Sequence, residues 1–268
     1  VVREYLADKY DVILEKGNDE RGINVGFLVK KSLNVKFELK SHKHLKYGKD
    51  HGVYPAGTPI FARDLPVLYL RQQDGSNSRA SEDPDLVVLG MHLKSKRPTE
   101  GDFESTSRRE VEIQTAAKIL QQTEEHYGGK VPVLLAGDLN TYIESKEASA
   151  LRNSFDDSLS LMGDRLSFGQ KVTHTFHPLV PAYNPSMAGR KFEGEVQPHQ
   201  VDVQYLNSAM TRRLLKSYVY HYKDHNGEIK VYYGRRGDPA IYPKTFQERK
   251  KNPSDHMPVV AEYDMTRK

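Results

Sequence analysis

Cysteine is absent from the 268 residues, which excludes a disulfide framework, a thiolate zinc site and a cysteine nucleophile. Any site chemistry must therefore come from His, carboxylates and hydroxyls. No stretch approaches the roughly 20 consecutive apolar residues that span a bilayer, and the longest apolar runs, such as residues 131–136, have strand length. No transmembrane segment is expected. Charge of one sign is lacking too, since 40 Lys plus Arg against 36 Asp plus Glu leave only +4. That balance permits a polyanionic partner without demanding one. The opening Val1-Val2-Arg3-Glu4-Tyr5-Leu6 has no initiator Met, basic n-region or apolar h-region, so localisation is left unassigned.

What is present suffices for a sizeable core: 37% of the residues are hydrophobic and 9% of the residues are aromatic, with no internal repeat or low-complexity block. Residues 1–6 read as the last turns of an amphipathic helix. Strands are expected over residues 10–14, 23–29, 33–39, 65–70, 86–91, 131–136, 201–206, 214–222 and 257–263. One long helix fits residues 107–126, where Val111, Ile113, Ala116, Ala117, Ile119 and Leu120 form a stripe that Gly128-Gly129 terminates. A shorter helix fits residues 145–153. Many strands with helices in the middle point to α+β layers in one domain. Residues 155–200 show no sustained period and read as long loops, a common place for function.

Four strands end in polar clusters that apolar propensity does not explain. His92 follows the run 87–91, Asp138 and Asn140 follow 131–136, Asp202 lies within 201–206, and Asp255-His256 precedes 257–260. Two His, three Asp and one Asn at sheet ends make an inventory for hydrolysing a phosphate ester with a divalent metal. An anionic phosphodiester repels a nucleophilic water, so hard oxygen ligands such as Asp138 and Asp255 are needed to hold Mg²⁺, Mn²⁺ or Ca²⁺ against it. Imidazoles on either side of the phosphorus then manage protons and charge. A buried carboxylate must fix the tautomer of such a histidine, and Asp202, costly to bury alone in Val-Asp-Val-Gln-Tyr-Leu, is the candidate partner of His256.

The segments Gly90-Met91-His92-Leu93-Lys94-Ser95-Lys96, Ala136-Gly137-Asp138-Leu139-Asn140-Thr141, Gln200-Val201-Asp202-Val203-Gln204-Tyr205-Leu206 and Pro253-Ser254-Asp255-His256-Met257-Pro258-Val259 resemble, in order and spacing, the endonuclease/exonuclease/phosphatase superfamily. That superfamily includes pancreatic-type deoxyribonucleases, abasic-site endonucleases, neutral sphingomyelinases and inositol polyphosphate phosphatases. The resemblance implies a deoxyribonuclease I-like fold, a four-layer α/β/β/α sandwich of two mixed sheets, over one domain spanning residues 1–268. It implies that His92 stands on the leaving-group side and that Asp138 binds metal or prepares the water. Asn140 would hold phosphoryl oxygens beside the metal, Asp202 would pair with His256, Asp255 would bind metal, and His256 would act on the scissile phosphate. The family's N-terminal strand ending in Asn and strand ending in a metal-binding Glu have no match here, so an N-terminally truncated domain of weak activity and stability is expected.

The expected reaction is metal-dependent phosphoester hydrolysis with nucleic acid as the first substrate class, because Lys94, Lys96 and Arg97 lie just beyond His92 where a phosphate backbone passes. The alternatives are a phosphatase or phospholipase C-like enzyme gripping a small-molecule or lipid phosphate with residues 155–200, and a non-catalytic domain of the same fold. No obligate protein partner is evident. Arg63, with Asp64, either touches substrate phosphate or pairs on a sheet rim. His174, His177 and His199 either reach the site from the long loop or are structural. Lys40, Lys43, Lys46 and Lys49 read as a solvated loop rather than a phosphate patch. Tyr218, Tyr220 and Tyr222 alternate along one strand and read as outer-layer packing rather than base stacking.

Overall fold

The computed structural model describes residues 2–73, 83–97, 99–176, 196–234 and 236–267. Its early strands are β1 (Tyr10–Leu14), β2 (Gly26–Lys30), β3 (Val35–Lys40), β4 (Val67–Gln72), β5 (Leu86–His92), β6 (Val133–Asp138) and the two-residue β7 (Asp156–Asp157). Later come β8 (His174–Phe176), β9 (Gln197–His199), β10 (Asp202–Leu206), β11 (Leu214–Val219), β12 (Tyr232–Tyr233), β13 (Pro239–Ala240) and β14 (Val259–Tyr263). The helices are α1 (Val2–Tyr5), α2 (Thr106–His126), α3 (Ser149–Arg152), α4 (Phe168–Lys171), α5 (Ser208–Thr211) and α6 (Phe246–Arg249).

A six-stranded mixed sheet in the order β3-β4-β5-β6-β10-β7 forms the centre. The strands β5 and β6 run parallel, as the intervening helix α2 requires, while β10 returns antiparallel to β6. The stripe on α2 works as expected: Arg109, Glu112, Ile113, Ala116, Ala117, Leu120 and Thr123 are its buried positions, spaced by three and four. Its apolar members pack on Val67, Val87, Leu89, Val133, Leu135, Val203 and Tyr205. Gly128 and Gly129, at φ +57° and +70°, let the chain reverse where the helix ends.

Alternate residues of the same strands face the other way. Leu68 packs with Ile13 and Val29, so the β1–β2 ribbon covers β3 and β4. Farther along this face the β11–β14 ribbon covers β10: Gln204 Nε2 donates to the Val259 carbonyl at 3.3 Å, and Tyr263 Oη donates to Gln204 Oε1 at 2.9 Å. Helix α4 lies against β11. The second sheet of the expected sandwich is thus represented, among the described residues, by two separate ribbons.

Two buried charges tie α2 to the segments flanking β5. Arg109, with no exposed surface, forms a fork with Glu147 (Nε to Oε2 2.5 Å, Nη2 to Oε1 3.1 Å) and donates to the Lys94 and Glu104 carbonyls. Glu112, equally buried, accepts from the Ala62 amide at 2.6 Å and the Lys94 amide at 2.7 Å. Removing one member of a buried pair strands the other charge, so Glu147→Ala is expected to lower unfolding free energy by about 3 kcal/mol in urea titration. An unchanged midpoint would show that the Lys94 and Glu104 carbonyls alone satisfy Arg109.

Candidate active site

Register alone gathers three of the expected residues. His92 is the partner of Asp138 across the parallel β5–β6 pair, and Asp138 is the partner of Asp202 across the antiparallel β6–β10 pair. Three adjacent strands therefore end side by side in a histidine and two carboxylates. The close passage of β6 depends on Gly137, whose φ is +142° and whose place a Cβ would share with the Met91 carbonyl oxygen, only 1.9 Å away.

Beyond Gly137 the chain turns tightly. Asn140 takes the left-handed conformation at φ +53°, which short polar side chains tolerate. Its amide donates to Asp138 Oδ1 at 2.6 Å, and its Nδ2 donates to Asp138 Oδ2 and to the Leu93 carbonyl, both at 2.9 Å. This leaves the Asn140 Oδ1 as that side chain's remaining acceptor. His92 Nε2 lies 3.5 Å from Asp138 Oδ2.

The second half of the site comes from the segment before β14. His256 Nδ1 lies 2.8 Å from Asp202 Oδ2, the pairing expected from the sequence. Tyr222 donates its hydroxyl to the His256 carbonyl at 2.7 Å, so this tyrosine serves the site segment rather than a shared face with Tyr218, and β11 ends at Val219. Thr173 joins the halves: its Oγ1 accepts from the amides of Val201 (2.9 Å) and Asp202 (3.0 Å), and its carbonyl accepts from Met257 at 2.7 Å.

His174, on β8, is brought into the centre. It is 7% exposed, its Nδ1 meets the Asp255 carbonyl at 2.9 Å, and its ring centroid lies 4.3 Å from that of His256. His199 instead stacks on Tyr142 at 4.5 Å, and His177 lies outside the described residues. Nothing in the sequence separated His174 from its neighbours, because the β8–β9 hairpin that aims it pairs only three residues with three.

The remaining candidates are placed differently. Arg63 is buried and donates from Nη1 to the carbonyls of His92, at 3.2 Å, and Leu93, with its Nε 3.8 Å from Asp19. Asp64 accepts from Ser41 Oγ and from the His42 and Leu65 amides, so the two do not pair with each other. Lys94 turns its ammonium to the Arg97 carbonyl at 3.1 Å. Lys96 is half-buried over the rings of Phe176 and Tyr142.

Electrostatics divide the histidines. Burial, with the charges of Arg63 and His256, pulls His92 down to about 4. Burial also acts downward on His256, but the hydrogen bond and charge of Asp202, joined by Asp138 and Asp255, outweigh it and hold the ring at about 9. His174 is held neutral by burial and by the charges of His256 and Arg249. Asp138 is pushed up by burial and then by the charge of Asp202. A neutral imidazole and an imidazolium thus share one carboxylate-rich edge, the kind of separation that assigns acid and base roles.

Ligand atoms of Asp138, Asp202 and His256 lie within 4.8 Å of one another, and so do those of His174, Asp255 and His256. The carboxylate oxygens suit a hard divalent cation, and the mutual repulsion of Asp138 and Asp202 is what such a cation relieves.

No family model matches this sequence, and no curated protein matches it. Solved structures do. Truncated Caenorhabditis elegans TDP2 is 15% identical over 97% of this chain and 78% of that chain, with a TM-score of 0.54. D. rerio TDP2 complexed with a single strand DNA product is 15% identical over 98% of this chain and 80% of that chain, with a TM-score of 0.55. At that identity the likeness establishes architecture alone: the chain shares the mixed α+β, deoxyribonuclease I-like fold of these structures.

Proposed function

We propose that this protein is a divalent-metal-dependent phosphoester hydrolase that cleaves phosphodiester bonds of nucleic acid. The observation that carries this reading is His256 anchored through Nδ1 on Asp202 beside Asp138, with His92 on the adjoining strand. Asp138 and the Oδ1 of Asn140, with Asp202 close beside Asp138, would hold Mg²⁺, Mn²⁺ or Ca²⁺, which when bound neutralises phosphate charge and favours attack by water, whereas Asp255 gathers with His174 and His256 instead. His256, held charged by its carboxylates, binds the scissile phosphate and steadies the charge that builds on it. His92, neutral and a third exposed, stands ready on the leaving-oxygen side to exchange a proton. Asp138 orients Asn140 and, with it, the phosphoryl oxygens. Arg63 acts behind this set by fixing the His92 and Leu93 carbonyls.

Nucleic acid is favoured as substrate by the similar fold solved with a single strand DNA product and by Lys96 beyond His92. The direct test is nicking of supercoiled plasmid with Mg²⁺ or Mn²⁺, run beside phosphate release from inositol phosphates. Cleavage that falls to background in EDTA and returns with added Mg²⁺ is expected. Phosphate release without plasmid cleavage would move the protein to the phosphatase class, and failure of both would overturn the hydrolase reading.

A further inference from the structure

Next to the proposed catalytic centre, four residues from four separate segments converge without belonging to the core. Tyr142 follows the Asn140 turn, Phe176 ends β8, His199 ends β9, and Lys96 lies four residues beyond His92. The Lys96 Nζ stands 4.6 Å from the Phe176 centroid and 5.2 Å from that of Tyr142. Tyr142 and His199 are stacked at 4.5 Å and 20°, and Phe176 meets His199 at 5.9 Å. A path of rings leads inward, from Phe176 to His174 at 4.8 Å and on to His256 at 4.3 Å. All four residues are partly exposed.

Lys96 is the informative member. Its ammonium is drawn over two rings, yet it makes no ion pair with a carboxylate among the described residues. Partial burial accordingly lowers its proton affinity. Lysines that serve only solubility do not sit this way, because half-burying an ammonium without a close carboxylate partner is unfavourable, and the more distant charges of Glu104 and Glu147 only partly offset that burial. A flat π-acceptor beside an unpaired cation, at the rim of a phosphoesterase site, matches one ligand chemistry above others. It is the alternation of base and phosphate in an unpaired strand.

We propose that Tyr142, Phe176 and His199 form a ledge on which an unpaired base of single-stranded nucleic acid stacks, with the Lys96 ammonium on the adjoining phosphate. The proposal rests on the phosphodiesterase reading and adds to it strand selectivity: bases in a duplex are already stacked on their neighbours and cannot lie on the ledge.

The test is binding without turnover. Fluorescence anisotropy in EDTA follows a fluorescein-labelled eight-residue oligothymidine and, separately, a labelled duplex of the same length. Tyr142→Leu is expected to weaken oligothymidine binding by about tenfold, the loss of one base–aromatic stack. Tyr142→Phe keeps it. Lys96→Met weakens it severalfold and makes the salt dependence shallower by about one phosphate contact. Circular dichroism of each variant establishes that it is folded, and His199→Leu replaces Tyr142→Leu should the latter unfold. Unchanged affinity in Lys96→Met and in the folded ledge variant, or equal losses for duplex and single strand, would overturn the ledge. Hydrolysis of methyl p-nitrophenyl phosphate by the wild type, measured in parallel, tests the hydrolase reading separately. Turnover with a failed ledge removes only the ledge, and ledge-dependent binding with no turnover removes only the hydrolase.

Discussion

His256→Ala is expected to lower metal-supported phosphodiester turnover by about 10²–10⁴-fold, the usual contribution of a positioned proton-transfer or charge-stabilising imidazole. The effect should fall mainly on kcat, because the imidazolium is placed for charge that grows during the reaction rather than for ground-state affinity. Asp202→Asn should fall nearly as far. Its carboxylate both fixes the Nδ1–H tautomer, at 2.8 Å, and helps hold the ring charged. The double variant should be no worse than His256→Ala alone, since the two act as one unit. Single-turnover kinetics with saturating Mg²⁺ measure all three. Additive losses would show that Asp202 acts independently of His256, and wild-type turnover in His256→Ala would remove this residue from the reaction.

Gly137→Ala should have the largest effect on folding. The added Cβ would stand 1.9 Å from the Met91 carbonyl oxygen and 2.9 Å from its carbon, and neither is the end of a flexible side chain. With φ at +142° the backbone is strained for any L side chain as well. Separating β5 from β6 at this rung breaks the ladder that sets His92 against Asp138. A loss of about 3 kcal/mol or more is expected from urea unfolding, combining strain with displaced packing. Gly90→Ala supplies the graded comparison. Its Cβ would meet Val25 and Phe27 side-chain atoms at 2.8–3.0 Å, groups that can turn aside, so a smaller loss is expected. Equal losses in the two variants would mean that strand separation is not the operative strain.

Much of this arrangement was legible before any coordinates. The long helix was readable because its stripe is wide and its glycine stop strong, and observed bounds of Thr106–His126 differ by one residue from the expected start. The strands β5, β6 and β10 were readable as buried runs, and their polar ends gave the His92, Asp138 and Asp202 set that register then juxtaposes. Short elements carried too few residues for a period: the expected helix over 145–153 is one turn, Ser149–Arg152, and β8 spans three residues. His174 stands beside His177 and His199 in the sequence with nothing to single it out, for that reason.

The support of Arg63 was hidden for another. Asp19 lies in a polar turn that folds back so that the Asn18 amide donates to the Arg63 carbonyl at 2.7 Å and Asp19 faces the Arg63 guanidinium. Contacts of that kind arise from loop closure across more than forty positions, which no local pattern encodes.

Thr173 gives the site a property of its own. The carboxylate at position 202 and the histidine at position 256 are 54 residues apart in the chain, but the peptides beside both are fastened to this one threonine, by its hydroxyl and by its carbonyl. Placement errors along the two routes are therefore referred to a common datum and largely cancel, so the alignment of the imidazolium with its carboxylate tolerates breathing of the surrounding ribbons.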